Sequence, residues 1–265
     1  MIYCNLKGGL GNMLFQVAAV SSMAIKKNTS CSFPNFRDHL NFLNQDHLFN
    51  PNMKHANEYT EFLHLEYSTA SEPYKLYSYP FEYIDAIPGD TTFGVDGFFQ
   101  TEKYFKNQRQ EILKIIKPNQ KINDILNTKY SFIKEDICTS IHVRRGDYTK
   151  FSDKHPTQDV KYYQKALESI EDYGLIIVFS DDVEWCKSVF KFKNMHFIEN
   201  EKDYIELFLM ARCKNNIIAN SSFSWWGAWM NQHPDKKVVG PNKWFGPNLS
   251  HLNTNDIIPE TWIKI

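Results

Sequence analysis

The run Ile141-His142-Val143-Arg144-Arg145-Gly146-Asp147-Tyr148 puts one imidazole, two guanidiniums and a carboxylate directly after an apolar stretch, Cys138–Val143. Guanidinium forks match phosphate oxygens bidentately, so the arginine pair suits a dense anion. A local alternative needs no ligand: Arg145 pairs with Asp147, and Arg144 lies exposed. Against it, two arginines and a histidine at the end of a buried strand are costly without compensation. That cost favours an anionic ligand.

Three other constellations accompany this run. Asn220-Ser221-Ser222-Phe223-Ser224-Trp225-Trp226 follows the apolar triplet Ile217-Ile218-Ala219. Small hydroxyls opening a helix seat an anion through backbone N–H groups, or simply cap the helix. Ser180-Asp181-Asp182 follows another apolar run and reads as a helix cap with acids favourable to the dipole. Gly8-Gly9-Leu10-Gly11-Asn12 follows residues 2–6 and reads as a turn that lets backbone approach a ligand or a neighbouring strand. It is a poor dinucleotide fingerprint, since Leu14 replaces the third glycine and Asp38 sits in polar surroundings. No Asp-x-Asp occurs, so the usual carboxylate hook for a nucleotide-bound divalent metal is missing. Together these features suggest a diphosphate site in which arginines and helix dipoles replace the metal.

The elements that must position these residues follow from apolar periodicity. A strand over residues 2–6 leads through the glycine turn to a helix with Leu14, Val17, Ala18, Ser21 and Ile25 on one face. Residues 30–33 form a second strand. Residues 34–97 are irregular, with short strands near 74–79. A helix over 104–116 is stopped by Pro118, and a further helix lies within 119–135. In the second half, strands at 138–143, 175–179, 196–198, 217–219 and 237–239 alternate with helices at 157–172, after 182, at 204–212 and after 221. Gly174 ends the first of these helices. Such alternation implies right-handed βαβ units and a parallel, doubly wound sheet. Ligands of such sheets bind outside the carboxyl ends of the strands.

Composition sets bounds. The 265 residues, 42% hydrophobic, suffice for one large domain or two modest ones. A net charge of −1 argues against nucleic acid as a partner. The aromatic fraction of 15% favours a heavy core over a ligand groove. Five cysteines with no Cys-x-x-Cys indicate neither a disulfide framework nor a zinc site. Without a signal peptide or an apolar run near 18 residues, the chain is expected to be soluble and cytoplasmic. Asn28, Asn220 and Asn248 then begin chance Asn-x-Ser/Thr triplets.

In chain order, Gly8-Gly9-Leu10-Gly11-Asn12-Met13-Leu14-Phe15-Gln16, His142-Val143-Arg144-Arg145-Gly146-Asp147, Phe179-Ser180-Asp181-Asp182 and Ile217 to Trp226 closely resemble the α-1,2-fucosyltransferases, inverting glycosyltransferase family 11. The resemblance implies an α/β fold of GT-B type, with two Rossmann-like domains facing a cleft. An N-terminal acceptor-side domain would span 1–135, and a C-terminal GDP-fucose-binding domain 136–265. The implied reaction transfers L-fucose from GDP-β-L-fucose to the 2-hydroxyl of a β-galactosyl glycan, with inversion and without a divalent metal or other cofactor. Arg144, Arg145 and Asp147 would be catalytic. His142, Gly9, Gly11, Asn12, Glu206, Asn220, Ser221, Ser222, Phe223 and Ser224 would bind substrate. Asp147 is the candidate base, or else orients Arg145. Met13 stands where many members carry Gln. Glu206 stands where Asp is common, and would hold the guanine N1 and N2 hydrogens on a longer arm. The partners would be GDP-fucose and a glycan, with a lipid-linked acceptor compatible with peripheral membrane association and the oligomeric state open. Another acceptor, or nucleotide-sugar binding without catalysis, remains as an alternative. A nicotinamide oxidoreductase rests on the glycine turn alone.

Overall fold

The structure is a computed structural model that describes residues 1–45, 51–133 and 137–265. The boundary expected between residues 135 and 136 lies outside the described residues. The chain divides into two compact units: one drawn mainly from residues up to Asn119 together with Leu252–Pro259, the other from Gln120–His251 and Glu260–Ile265.

The first unit contains β1 (Ile2–Tyr3), α1 (Leu10–Lys26), β2 (Cys31–Ser32), α2 (Phe36–Gln45), β3 (Lys75–Ser78), β4 (Phe93–Asp96) and α3 (Arg109–Ile115). Its four strands are all parallel, in the order β2-β1-β4-β3. The one-sided stripe expected of α1 is too narrow a description. The helix is buried along nearly its whole length, because β1 and β2 meet it together with α3 and the 3-10 turn Glu102–Tyr104. Ile25, expected on the inner face, is exposed. α2 lies inside the segment read as irregular. Its signal is Phe36, Leu40 and Leu43, a buried stripe at helical spacing hidden among polar residues. The helix expected from residue 104 starts only at Arg109, after two 3-10 turns.

The second unit contains α4 (Gln120–Thr128), β5 (Cys138–Val143), α5 (Val160–Glu168), β6 (Leu175–Ser180), α6 (Val183–Val189), β7 (Met195–Phe197), α7 (Asp203–Arg212), β8 (Asn215–Ile217), α8 (Ser222–Met230), β9 (Val238–Gly240) and β10 (Ile263–Lys264). All six strands are parallel, in the order β10-β9-β8-β5-β6-β7. Counted from β5, this is the doubly wound dinucleotide-fold order, and the strand order reverses between β5 and β8. The α/β class of GT-B type expected from the resemblance is the fold observed, two parallel sheets with helices. β5 lies between two strands, and all six of its residues are buried.

Two local expectations fail for identifiable reasons. β8 begins at Asn215, two residues earlier than expected, because its asparagines are buried and fully engaged. Asn216 Nδ2 donates to Ser140 Oγ and Met210 O at 2.7 Å each, and Asn216 Oδ1 accepts from Asn231 at 2.7 Å. Gly174 does not end α5, which stops at Glu168. It turns the chain into β6 at φ +57°, where a Cβ would lie 1.8 Å from Ile137 O.

The tryptophans of α8 are core, as composition favours: Trp225, Trp226 and Trp229 are buried, and Trp225 packs on Trp262 at 5.4 Å. All five cysteines are free. Among the described residues, no helix is long and apolar enough to cross a membrane.

Candidate functional site

The carboxyl end of β5 delivers Arg144, Arg145 and Asp147 into one network with the β6–α6 loop, just after His142 in the strand. Arg144 Nη2 donates to Asp147 Oδ1 at 2.7 Å, and its Nη1 lies 2.8 Å from Asp181 Oδ2. Arg145 donates its backbone N–H to Asp181 Oδ1 at 2.8 Å and its Nε to Asp182 Oδ2 at 3.0 Å. Its guanidinium covers the Trp185 ring at 4.0 Å. The local pairing expected between Arg145 and Asp147 is therefore replaced: Asp147 holds Arg144. Nor is Arg144 exposed, its side chain being only 15% accessible. Three carboxylates face two guanidiniums, so the chain itself compensates the charge that the sequence seemed to leave for a ligand.

Asp181 and Asp182, read from sequence as cap residues, divide the work. Asp182 does cap α6, accepting from Trp185 N at 3.2 Å, and also holds Arg145. Asp181 caps nothing and joins the two arginines. A Cβ on Gly146 would lie 2.7 Å from Asp181 Oδ2, so glycine there lets the loop close on that carboxylate. Tyr148 lies beneath Arg144 at 5.3 Å and donates its hydroxyl to Asn220 O at 3.2 Å, tying the β5 loop to the end of β8.

Across the point where strand order reverses, residues after β8 lead into α8. Asn220 is buried with its amide engaged by protein: Nδ2 donates to Pro156 O and Trp244 O, and Oδ1 accepts from Gln158. It positions the loop, and its side chain is not offered to a ligand as expected. Ser224 is likewise spent, buried and donating to Ser221 O at 3.3 Å. Ser221 is the N-cap of α8 and makes no side-chain cap bond, and Ser222 opens the helix. These two leave the helix N-terminus open to an anion. Phe223 packs its ring 5.5 Å from that of His142.

Two titratable groups are held neutral. Burial, aided by the Arg144 charge, lowers the His142 pKa to about 3. Its Nδ1 is buried without a hydrogen-bond partner. Burial first, then the charges of Asp203, Glu201 and Asp181, raise the Glu206 carboxyl well above the ordinary range. Arg144 keeps its charge: burial opposes it, but Asp181 and Asp147 outweigh that opposition.

In the first unit the glycine turn is tied to its surroundings by hydrogen bonds. Gly8 has φ +77°, and a Cβ there would meet Asn12 Nδ2 at 2.5 Å. Gly9 is the N-cap of α1, Gly11 is buried in its first turn, and Asn12 Oδ1 accepts from Gln100 at 2.7 Å. Gln16 brackets Lys7, accepting from its N–H and donating to its carbonyl at 2.9 Å each. His39 Nε2 lies 2.8 Å from Gly8 O. Neither Gln16 nor His39 carries a sequence signal for this role, since each acts across a tertiary contact.

The family model for glycosyl transferase family 11 matches residues 1–265. The chain belongs to glycosyl transferase family 11. An α-1,2-colitosyltransferase of Escherichia coli is 30% identical to this family 11 chain over 296 aligned positions, covering 100% of it and 99% of that protein. The O-antigen biosynthesis glycosyltransferase WbnK of Escherichia coli is 39% identical over 186 residues, spanning 63% of this chain and 59% of that relative's length. The fold is shared with the NodZ α-1,6-fucosyltransferase soaked with GDP-fucose, at TM-score 0.56 and 14% identity, over 86% of this chain and 92% of that one. The chain is thus a glycosyltransferase.

Proposed function

We propose that this family 11 chain transfers L-fucose from GDP-β-L-fucose to the 2-hydroxyl of a β-galactosyl glycan, with inversion and without a divalent metal. The observation that carries the reading is Arg144, bracketed by Asp147 and Asp181 beside the strand-order reversal between β5 and β8. Doubly wound sheets bind their ligands in that crevice. In-line attack on the anomeric carbon leaves negative charge on the departing diphosphate. A guanidinium fixed beforehand by two carboxylates stabilises that charge without reorganising. The open N-terminus of α8, with Ser221 and Ser222, adds N–H donors from the other side of the crevice. Arg145, turned toward Asp182 and Trp185, holds the loop in shape.

His142, neutral with an unpartnered Nδ1, offers a donor or acceptor to the nucleotide. Glu206 takes the guanine N1 and N2 hydrogens, which favour its ionised form over the protonated form that burial favours in the free chain. Asp147 positions that charge through one oxygen on Arg144, and its carboxylate is the candidate to take the proton that the acceptor hydroxyl loses on attack. The partners are GDP-fucose and a surface-polysaccharide glycan, and a lipid-linked acceptor would draw the chain to a membrane surface.

A second reading, transfer of colitose, is favoured by the full-length relative that bears that name. Incubating the chain with GDP-fucose or a colitosyl donor, a β-galactoside and EDTA decides between them, with GDP release and the linkage read by NMR. Transfer of fucose to the 2-hydroxyl in EDTA is the expected result. Turnover of the colitosyl donor alone, or a strict Mn²⁺ requirement, overturns the reading.

A further inference from the structure

An open cavity of ≈ 450 Å³ lies in the first unit, remote in sequence from the β5 network. Its lining includes Phe36 and Leu63, both buried, with Arg37, His64, Glu66 and Tyr67 exposed around them. Specific ligand sites have this size, with an apolar floor and a few placed polar groups. The cavity also sits where a parallel sheet binds ligands, at the carboxyl end of β2. Phe33 N donates to Glu66 O at 2.7 Å and Ser32 Oγ to Ser68 O at 2.7 Å, so residues 66–68 are tied to that strand end. Phe36 and Arg37 open α2, and the same helix reaches the glycine turn through His39 and Gly8 O.

The chemistry of the lining narrows the ligand. Arg37 covers the Tyr67 ring at 4.9 Å, and among the described residues it pairs with no carboxylate. Glu66 Oε1 accepts from Tyr67 N at 3.1 Å and Ser68 N at 2.9 Å, which fixes the carboxylate in place. Those bonds, from Ser68 foremost, hold its pKa below the ordinary range. Opposite charges on the rim argue against a polyanion such as a second nucleotide. A neutral ring with one apolar face and many hydroxyls meets all three demands: aromatic surface, apolar floor, and charged donors and acceptors.

We propose that this cavity is a sugar-binding subsite, which takes one pyranose unit of the acceptor glycan, with Tyr67 and Arg37 as its anchors. The proposal rests on the glycosyl-transfer reading above and adds where the acceptor chain is held. Tyr67→Ala and Arg37→Ala alter exposed side chains, so both variants keep the fold. The test uses the full chain with GDP-fucose and a β-galactosyl tetrasaccharide. The KM for the tetrasaccharide should rise about tenfold in either variant, while slow transfer of fucose to water and the KM for GDP-fucose stay unchanged. Saturation-transfer NMR of the tetrasaccharide alone should lose its signal in Tyr67→Ala and keep part of it in Tyr67→Phe. Unchanged tetrasaccharide KM and NMR signal in both variants overturn the subsite and leave the transfer reading standing. If the wild type turns over no GDP-fucose at all, the donor reading falls. The NMR comparison then still decides the subsite.

Discussion

At Arg144 two carboxylates compete with any ligand for one guanidinium, so the role of Asp147 is open to direct measurement. Arg144→Ala should cost two to three orders of magnitude in kcat, about 2.7–4 kcal/mol, as expected for removing a donor to developing charge. Arg144→Lys should recover little, because an ammonium cannot span Asp147 and Asp181 and still face a phosphate. Asp147→Asn separates positioning from proton transfer. If Asp147 orients Arg144, kcat falls and the pH profile keeps its acidic limb. Loss of that limb, with a fall of about 10²-fold or more, would make it the base. Glu206 is held protonated by burial, so its folded pKa lies above the unfolded one. Such a group loses stability as pH rises through the folded pKa. Glu206→Gln should therefore raise the Tm of the free chain at pH 7.5 relative to wild type, with no gain at pH 4. GDP affinity, by titration calorimetry, should fall in the same variant. His142 has the opposite sign: its folded pKa of about 3 is below the unfolded value. Its contribution is present above about pH 6.5 and lost as pH falls toward 3. His142→Asn should flatten that part of the Tm against pH curve.

At the level of elements, the site depends on how closely α7 and α8 pack behind it. α7 carries Glu206, and α8 presents its N-terminus to the crevice. A Cβ on Gly227 would lie 2.8 Å from Met210 Cβ, and both residues are buried. Gly227→Ala gains about 1 kcal/mol in helix propensity. Overpacking a filled core costs about 1–3 kcal/mol and should win. The variant should show a lower urea midpoint with an unchanged slope, and an unchanged midpoint would refute the close packing. The two asparagines that open β8 show why element edges are hard to read. Asn is rare in strands, yet Asn215 and Asn216 are buried there because Thr139, Ser140, Met210 and Asn231 satisfy them. α2 was hidden for a related reason: polar residues crowd its exposed side and mask a three-residue apolar stripe.

For the whole molecule, the strand order is the feature from which function follows. Placing β5 beside β8 puts Arg144 and the start of α8 on the same edge, though 78 positions separate Arg144 from Ser222. The alternation of apolar strands and amphipathic helices made the parallel α/β class legible in the sequence, because burial on both faces of such a sheet leaves continuous apolar runs. The place of the Arg144-Arg145 run directly after a buried strand was legible too, because an apolar run that ends in charge marks a strand end. The partners of those arginines were not. Asp181 and Asp182 looked like helix caps, Asn220 looked like a ligand contact, and Asp147 looked like the partner of Arg145. Which carboxylate meets which guanidinium depends on the turn at Gly146 and on the register of β5 against β6. Hydrogen bonds are short-ranged and directional, so residue types and spacing alone fix which charges gather at this strand end. Only the packed sheet edge decides which groups remain for a ligand and which are consumed in holding the site together.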